Sequence, residues 1–188
     1  MSLEKRSGMQ PRTIDLTNEK IEEPLNAYRV ESTRYGIAQF TPECPYIATF
    51  GVASCKVIAF YNPTEKKGLI AHVSVARNTD AVVERLVSDF GGIQSSDCYI
   101  VGGTNQARNI GGTHQWPTTE ELSERLQKFH PGSLSIDGGV QDWGPRGVAL
   151  NLGTGELKEV DGSRGWTWSK EHDTSVNKLL EDVEGGYK

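Results

Sequence analysis

Gly51-Val52-Ala53-Ser54-Cys55-Lys56-Val57-Ile58-Ala59-Phe60-Tyr61-Asn62-Pro63-Thr64-Glu65-Lys66-Lys67-Gly68-Leu69-Ile70-Ala71-His72 reads as two strand-forming runs joined by one turn. The polar, proline-bearing segment Asn62 to Gly68 is the turn, and the apolar runs on either side predict an antiparallel hairpin. Both alternating faces of the first run are apolar: Val57, Ala59 and Tyr61 on one, Ile58 and Phe60 on the other. That pattern belongs to a central strand covered on both sides. Folding at the turn carries the start of the first strand beside the end of the second, so Cys55 and His72 become near neighbours. Residues directly opposite in such a pair have Cβ atoms roughly 5 Å apart. A slip of one residue would turn one of the two side chains away.

The flanking sequence mixes strands with helices. Tyr35 to Phe40 and Tyr46 to Phe50 predict strands, the second running into a turn at Gly51. Asn78-Thr79-Asp80 starts a helix with the apolar stripe Val82, Val83, Leu86, Val87 and Phe90, which Gly91-Gly92 ends. Cys98 to Val101 is a short strand stopped by Gly102-Gly103, and the polar, glycine-rich stretch 104–116 is a loop. Thr118-x-x-Glu121 after Pro117 is a capping box for a helix carrying Leu122, Leu126 and Phe129. Strands are expected near 133–136, 146–152 and 156–160, and a short helix through Val176, Leu179, Leu180 and Val183. The expected fold class is mixed α/β: mixed sheets in a sandwich flanked by helices, in a single domain. The expected divisions are a polar, weakly ordered lead-in over 1–28, a core domain over 29–160 and a tail over 161–188.

Composition narrows the function. The chain has 188 residues, 36% hydrophobic and 24% charged, with a formal charge of −5. That balance argues against nucleic-acid binding, which needs a basic face. No apolar stretch reaches the length of a membrane span, so no membrane insertion is expected, and the first residues lack the apolar middle of a secretory signal. Three cysteines (Cys44, Cys55 and Cys98) in a chain of ordinary size suggest reduced thiols and a cytoplasmic location. With no Cys-x-x-Cys or His-x-x-x-His pair, no metal is expected, and no dinucleotide fingerprint or phosphate loop points to a cofactor.

A cysteine beside a histidine is the minimum equipment of a thiol hydrolase, because the imidazole can take the thiol proton. The residues around the pair resemble a family. Thr49-Phe50-Gly51-Val52-Ala53-Ser54-Cys55, followed by Gly68-Leu69-Ile70-Ala71-His72, is similar to the CheD-type chemoreceptor glutamine deamidases. Those proteins carry a threonine six residues before the cysteine, a Gly-x-x-Ser-Cys turn and an Ala-His pair after the next strand. Tyr99 to Gly103, Asp137-Gly138-Gly139, Arg146 to Leu150 and Thr154 to Leu157 resemble the family's later strands, so the likeness spans roughly 45–160. It implies a cysteine-dependent protein glutamine deamidase with Cys55 as nucleophile, His72 as base and acid, and Thr49 as the group that orients the histidine. The cytotoxic necrotizing factor toxins share that architecture. A fainter similarity runs to amino-terminal asparagine amidohydrolases. The sequence departs from the chemoreceptor family at Val73-Ser74-Val75-Ala76, in the 104–116 loop and in the tryptophan-bearing tail.

The other candidates have plainer readings beside the functional ones. Gly51 and Ser54 shape the turn that could offer main-chain donors to an oxyanion, together with the N–H of Cys55. His114 and Trp116 are candidate substrate contacts, though a solvated loop histidine is the simpler reading of His114. Gly102 and Gly103 allow close backbone approach beside the site. Cys44 and Cys98 read as plain thiols. The expected partner is a protein or peptide carrying a glutamine, or an asparagine, with a regulatory protein as a second. The alternatives are an asparagine or amino-terminal amide hydrolase, and a non-catalytic adaptor on the same fold.

Overall fold

The computed structural model describes residues 9–16, 20–21, 26–52, 55–73, 78–102, 117–137, 146–160 and 178–179. The strands are β1 (Arg12–Ile14), β2 (Lys20–Ile21), β3 (Ala27–Val30), β4 (Arg34–Gln39), β5 (Tyr46–Val52), β6 (Lys56–Asn62), β7 (Lys67–Val73), β8 (Asp97–Gly102), β9 (Ser133–Asp137), β10 (Arg146–Asn151), β11 (Leu157–Val160) and β12 (Lys178–Leu179). The helices among these residues are α1 (Thr79–Phe90) and α2 (Thr119–Gln127). A seven-stranded sheet runs β1-β9-β8-β6-β7-β4-β12, and a five-stranded sheet runs β2-β11-β10-β5-β3. Both sheets mix parallel and antiparallel pairs.

The predicted hairpin sits at the centre of the larger sheet. Asn62 pairs with Lys67 at its closed end, and the Asn62 side chain accepts from the N–H groups of Thr64 and Glu65. This Asx turn pins the register that the sequence left open. Every residue of β6 except Asn62 is buried, as its two apolar faces require. Ile58 and Phe60 face a core shared with α1 and α2, while Val57, Ala59 and Tyr61 face the five-stranded sheet.

Both helices begin where the sequence places them. Asn78 caps α1 through a bond from the Ala81 N–H, and Thr118 and Glu121 form the full capping box of α2. Both cover the seven-stranded sheet, on its face away from the second sheet. The sandwich is therefore helix, sheet, sheet. The connections β7-α1-β8 and β8-α2-β9 step in the same direction across the sheet, and right-handed crossovers of the same sense put both helices on one face.

Three expectations change. The polar lead-in supplies β1 and β2, which pair in parallel with β9 and β11. Both are too short and too polar to show a period. The expected C-terminal helix is replaced at Lys178–Leu179 by β12, paired with β4. The exposed backbone groups of a sheet edge offer partners that outweigh local helix preference. Finally, Gly51 lies inside β5 rather than in a turn beyond it.

Candidate active site

The chain passes from one sheet to the other between Val52, the last residue of β5, and Lys56, the first of β6. Cys55 stands at that crossing and is half-buried. In the β6–β7 register Val57 is opposite His72. Cys55 stands one residue before β6 and two before Val57, so continuing the strand through it would put it diagonal to His72. Such neighbours lie roughly 7–8 Å apart along the sheet, with Cβ atoms somewhat closer.

His72 shares the face of Val57 and points between the sheets. It is fully buried. Its Nδ1 lies 2.8 Å from Oγ1 of Thr49, on the facing strand β5. The Thr49 hydroxyl also donates to the carbonyl of Val30, at 2.8 Å. A hydroxyl has one proton, and here it is used on Val30, so Thr49 accepts from His72 Nδ1–H. The reverse tautomer would set two acceptors against each other at the Val30 carbonyl. This arrangement leaves the lone pair on Nε2. That buried nitrogen has no hydrogen-bond partner among the described residues. Burial also depresses the imidazole, to a pKa of about 4, so it is neutral at pH 7 and its burial opposes the charge that a proton would bring.

Two main-chain groups that sequence reasoning missed complete the frame. The Val30 carbonyl anchors Thr49, and the Thr33 N–H donates to the His72 carbonyl at 3.1 Å. Val30 ends β3, and Thr33, with a φ of 62°, lies in the connection from β3 to β4. Backbone partners carry no side-chain signature, so only the threonine at positive φ breaks the local pattern.

The other cysteines contrast with Cys55. Burial pushes the Cys44 thiol up to about 11, and burial with the nearby Asp97 charge raises Cys98 further. A thiol held protonated in an apolar core is a poor nucleophile. Gly102 is in contact with Lys56: a Cβ on Gly102 would lie 2.5 Å from the lysine Cδ and 2.8 Å from its Nζ. Its lack of a side chain therefore makes room for a buried lysine that the sequence reading passed over. Ser54, Gly103, His114 and Trp116 lie outside the described residues. Among the described residues no group of three or more His, Cys, Asp or Glu could hold a metal ion, and no helix is long and apolar enough to cross a membrane.

No protein-family model matches the chain, and no curated protein matches it either. Among solved structures it is similar to Neisseria meningitidis protein NMB0706, described by family-model DUF152, at 12% identity and a TM-score of 0.41. The match covers 62% of this chain and 64% of that one, so it spans less than two thirds of the neighbour. Likeness at this level carries no argument about family or chemistry, and the CheD resemblance rests on its motifs.

Proposed function

We propose that the protein is a cysteine hydrolase that releases ammonia from a glutamine side chain of a protein or peptide. The observation that carries the reading is the buried Nε2 of His72, without a partner among the described residues, tautomer-fixed by Thr49 and on the strand next to Cys55. A satisfied core histidine would bond through both nitrogens. One left with a buried lone pair is equipped to take a proton from a group that arrives or moves during a reaction.

The reaction balances with these groups alone. His72 Nε2 takes the Cys55 thiol proton as the sulfur bonds to the carboxamide carbon. The carbonyl π electrons move to oxygen, where the Cys55 N–H is the proposed donor to the oxyanion. The oxyanion collapses, the C–N bond breaks, and His72 returns its proton to the departing nitrogen, giving ammonia and a thioester. Water then attacks the thioester with His72 again as base, the C–S bond breaks, and the carboxylic acid and the thiol are restored. Thr49 keeps the imidazole in one tautomer throughout, as the third member of other triads does.

The test is ammonia release from a panel of peptides with internal or amino-terminal Gln or Asn, comparing the wild type with Cys55→Ser. Release from internal Gln, lost in a folded Cys55→Ser, supports the reading. Release from Asn or from terminal amides alone would move the activity to the related amidohydrolases. Full activity in Cys55→Ser would overturn thiol chemistry here. A wild type inert on the whole panel, with Cys55 alkylating at the pH of an ordinary thiol, would favour an adaptor.

A further inference from the structure

Thr33 is a β-branched residue held at a φ of 62°. A branched side chain in the left-handed region is an outlier, whereas Lys66 and His130, also at positive φ, are unbranched at Cβ. Two features of its setting call for glycine instead. The Arg34 N–H donates to the Glu31 carbonyl at 3.2 Å and closes a turn with Thr33 in its third place. A positive φ at that place is ordinarily supplied by glycine. Beyond the turn, the register that pairs Tyr35 with Ala71 would bring Arg34 opposite His72. The Thr33 N–H reaches His72 as well, donating to its carbonyl at 3.1 Å. Thr33 and Arg34 thus stand against one residue, a bulge whose left-handed first member is again usually glycine. The threonine adds a local anchor that glycine lacks, since its hydroxyl donates to the Ser32 carbonyl at 2.6 Å.

The turn joins two different sheets. Val30 ends β3 in the five-stranded sheet and Arg34 opens β4 in the seven-stranded one, so residues 31–33 are a short strut between them. Each end of the strut holds one member of the His72–Thr49 pair. At one end the Val30 carbonyl accepts from Thr49 Oγ1 at 2.8 Å, and at the other the Thr33 N–H holds the His72 main chain. The 2.8 Å contact between Thr49 Oγ1 and His72 Nδ1 lies between those two anchors. Hydrogen bonds weaken steeply as their angle closes, so a strut that flexes would release the imidazole from one tautomer. Strained backbone persists where its surroundings over-determine it, and it collects at functional sites.

We infer that Thr33 is a positioning residue for His72: its strained backbone sets the strut so that Thr49 accepts from His72 Nδ1–H and the lone pair stays on Nε2. The inference rests on the proposed role of His72 as base, but it concerns the tautomer of the ring and can fail separately.

The experiment reads the nitrogen-15 shifts of the His72 ring at pH 7 in the labelled full chain, with His72→Gln assigning the signals. Ammonia release and circular dichroism are followed on the same samples. A bare ring nitrogen and a protonated one resonate far apart, and the wild type is expected to show Nδ1 protonated and Nε2 bare. Thr33→Pro removes the N–H and bars a positive φ. It is expected to show both tautomers in exchange, with kcat lowered about tenfold and KM within about twofold of wild type. Thr33→Gly keeps the N–H and takes a positive φ freely, so it should retain the wild-type signals and most of the activity. Thr33→Val keeps the branched shape without the hydroxyl and should lie between the two. A folded Thr33→Pro with wild-type ring signals overturns the inference, and so does a wild type that already shows both tautomers. If Thr33→Pro misfolds, Thr33→Val is read instead, and wild-type signals there overturn it. Shifted ring signals in a protein that releases no ammonia would uphold the inference and reject the deamidase reading.

Discussion

Thr49 is fully buried and makes two hydrogen bonds through one oxygen, which makes it the most informative residue to change. Valine has nearly the same shape and no hydroxyl. Thr49→Val would leave His72 Nδ1–H buried with nothing to accept it, at a cost of about 1–3 kcal/mol in stability. It would also free the ring to take the other tautomer, with the proton on Nε2 where a lone pair is needed. Ammonia release is expected to fall about a hundredfold, the low end of what a positioned base contributes. Thr49→Ser keeps the oxygen and should keep most of the activity. Steady-state kinetics beside urea denaturation of the two variants make the check. Wild-type turnover in a folded Thr49→Val would remove Thr49 from the chemistry. Cys55, His72 and Thr49 were marked in the sequence by their spacing and by the motifs around them, while the register that brings Thr49 to His72 was left open. The Val30 carbonyl and the Thr33 N–H were not, because main-chain groups are the same in every residue.

At the scale of the element, β5 is the strand that aims the site. Thr49 pairs with Val148 on β10, yet Val52 pairs with Arg146. Phe50 and Gly51 therefore stand against the single residue Gly147, the signature of a β-bulge. Gly51 has a φ of 76°, which an L side chain adopts only under strain. Bulges bend and twist a strand, and this one lies between Thr49 and the crossing that carries Cys55. Around Gly51 the space is open, with nothing within 4 Å of the place a methyl would take, so Gly51→Ala tests conformation without a clash. It is expected to cost about 1–2 kcal/mol and to lower the melting temperature by a few degrees. Activity should fall by up to about a hundredfold well below that temperature, because the reacting groups shift relative to one another. Gly147→Ala should be worse for stability, since its methyl would lie 2.5 Å from the Phe50 ring and 2.9 Å from the Val160 carbonyl. Differential scanning calorimetry and the ammonia assay measure both. An unchanged Gly51→Ala would mean that the bulge merely closes the sheet. The sequence marked Gly51 as special but placed it in a turn, because a glycine at positive φ looks the same in a turn and in a bulge.

The whole molecule buries a titratable histidine between two sheets, and that choice has a consequence for acid stability. What the sequence made legible was the hairpin, the two capped helices and the central strand, each set by a local period or cap. The pairing of β1 and β2 with distant strands, and the placing of both helices on one face, depend on contacts that no window of sequence contains. The His72–Thr49 bond is of that second kind, since it joins the two sheets. Its setting lowers the imidazole to about 4, against roughly 6.5 in an unfolded chain. Between those values the unfolded state binds more protons than the native state, so stability rises with pH and is lost as pH falls from about 6.5 to about 4. The loss from this group is about 3 kcal/mol, and it levels off below about pH 4. Urea midpoints at pH 7.5, 6.5, 5.5 and 4.5 should therefore drop steadily in the wild type. In His72→Gln they should start lower and decline less, and the difference between the two curves isolates the histidine from carboxylates that titrate over the same range. Parallel curves for the two proteins would mean that His72 charges freely while folded, and the buried, neutral base on which the proposed chemistry depends would be lost with it.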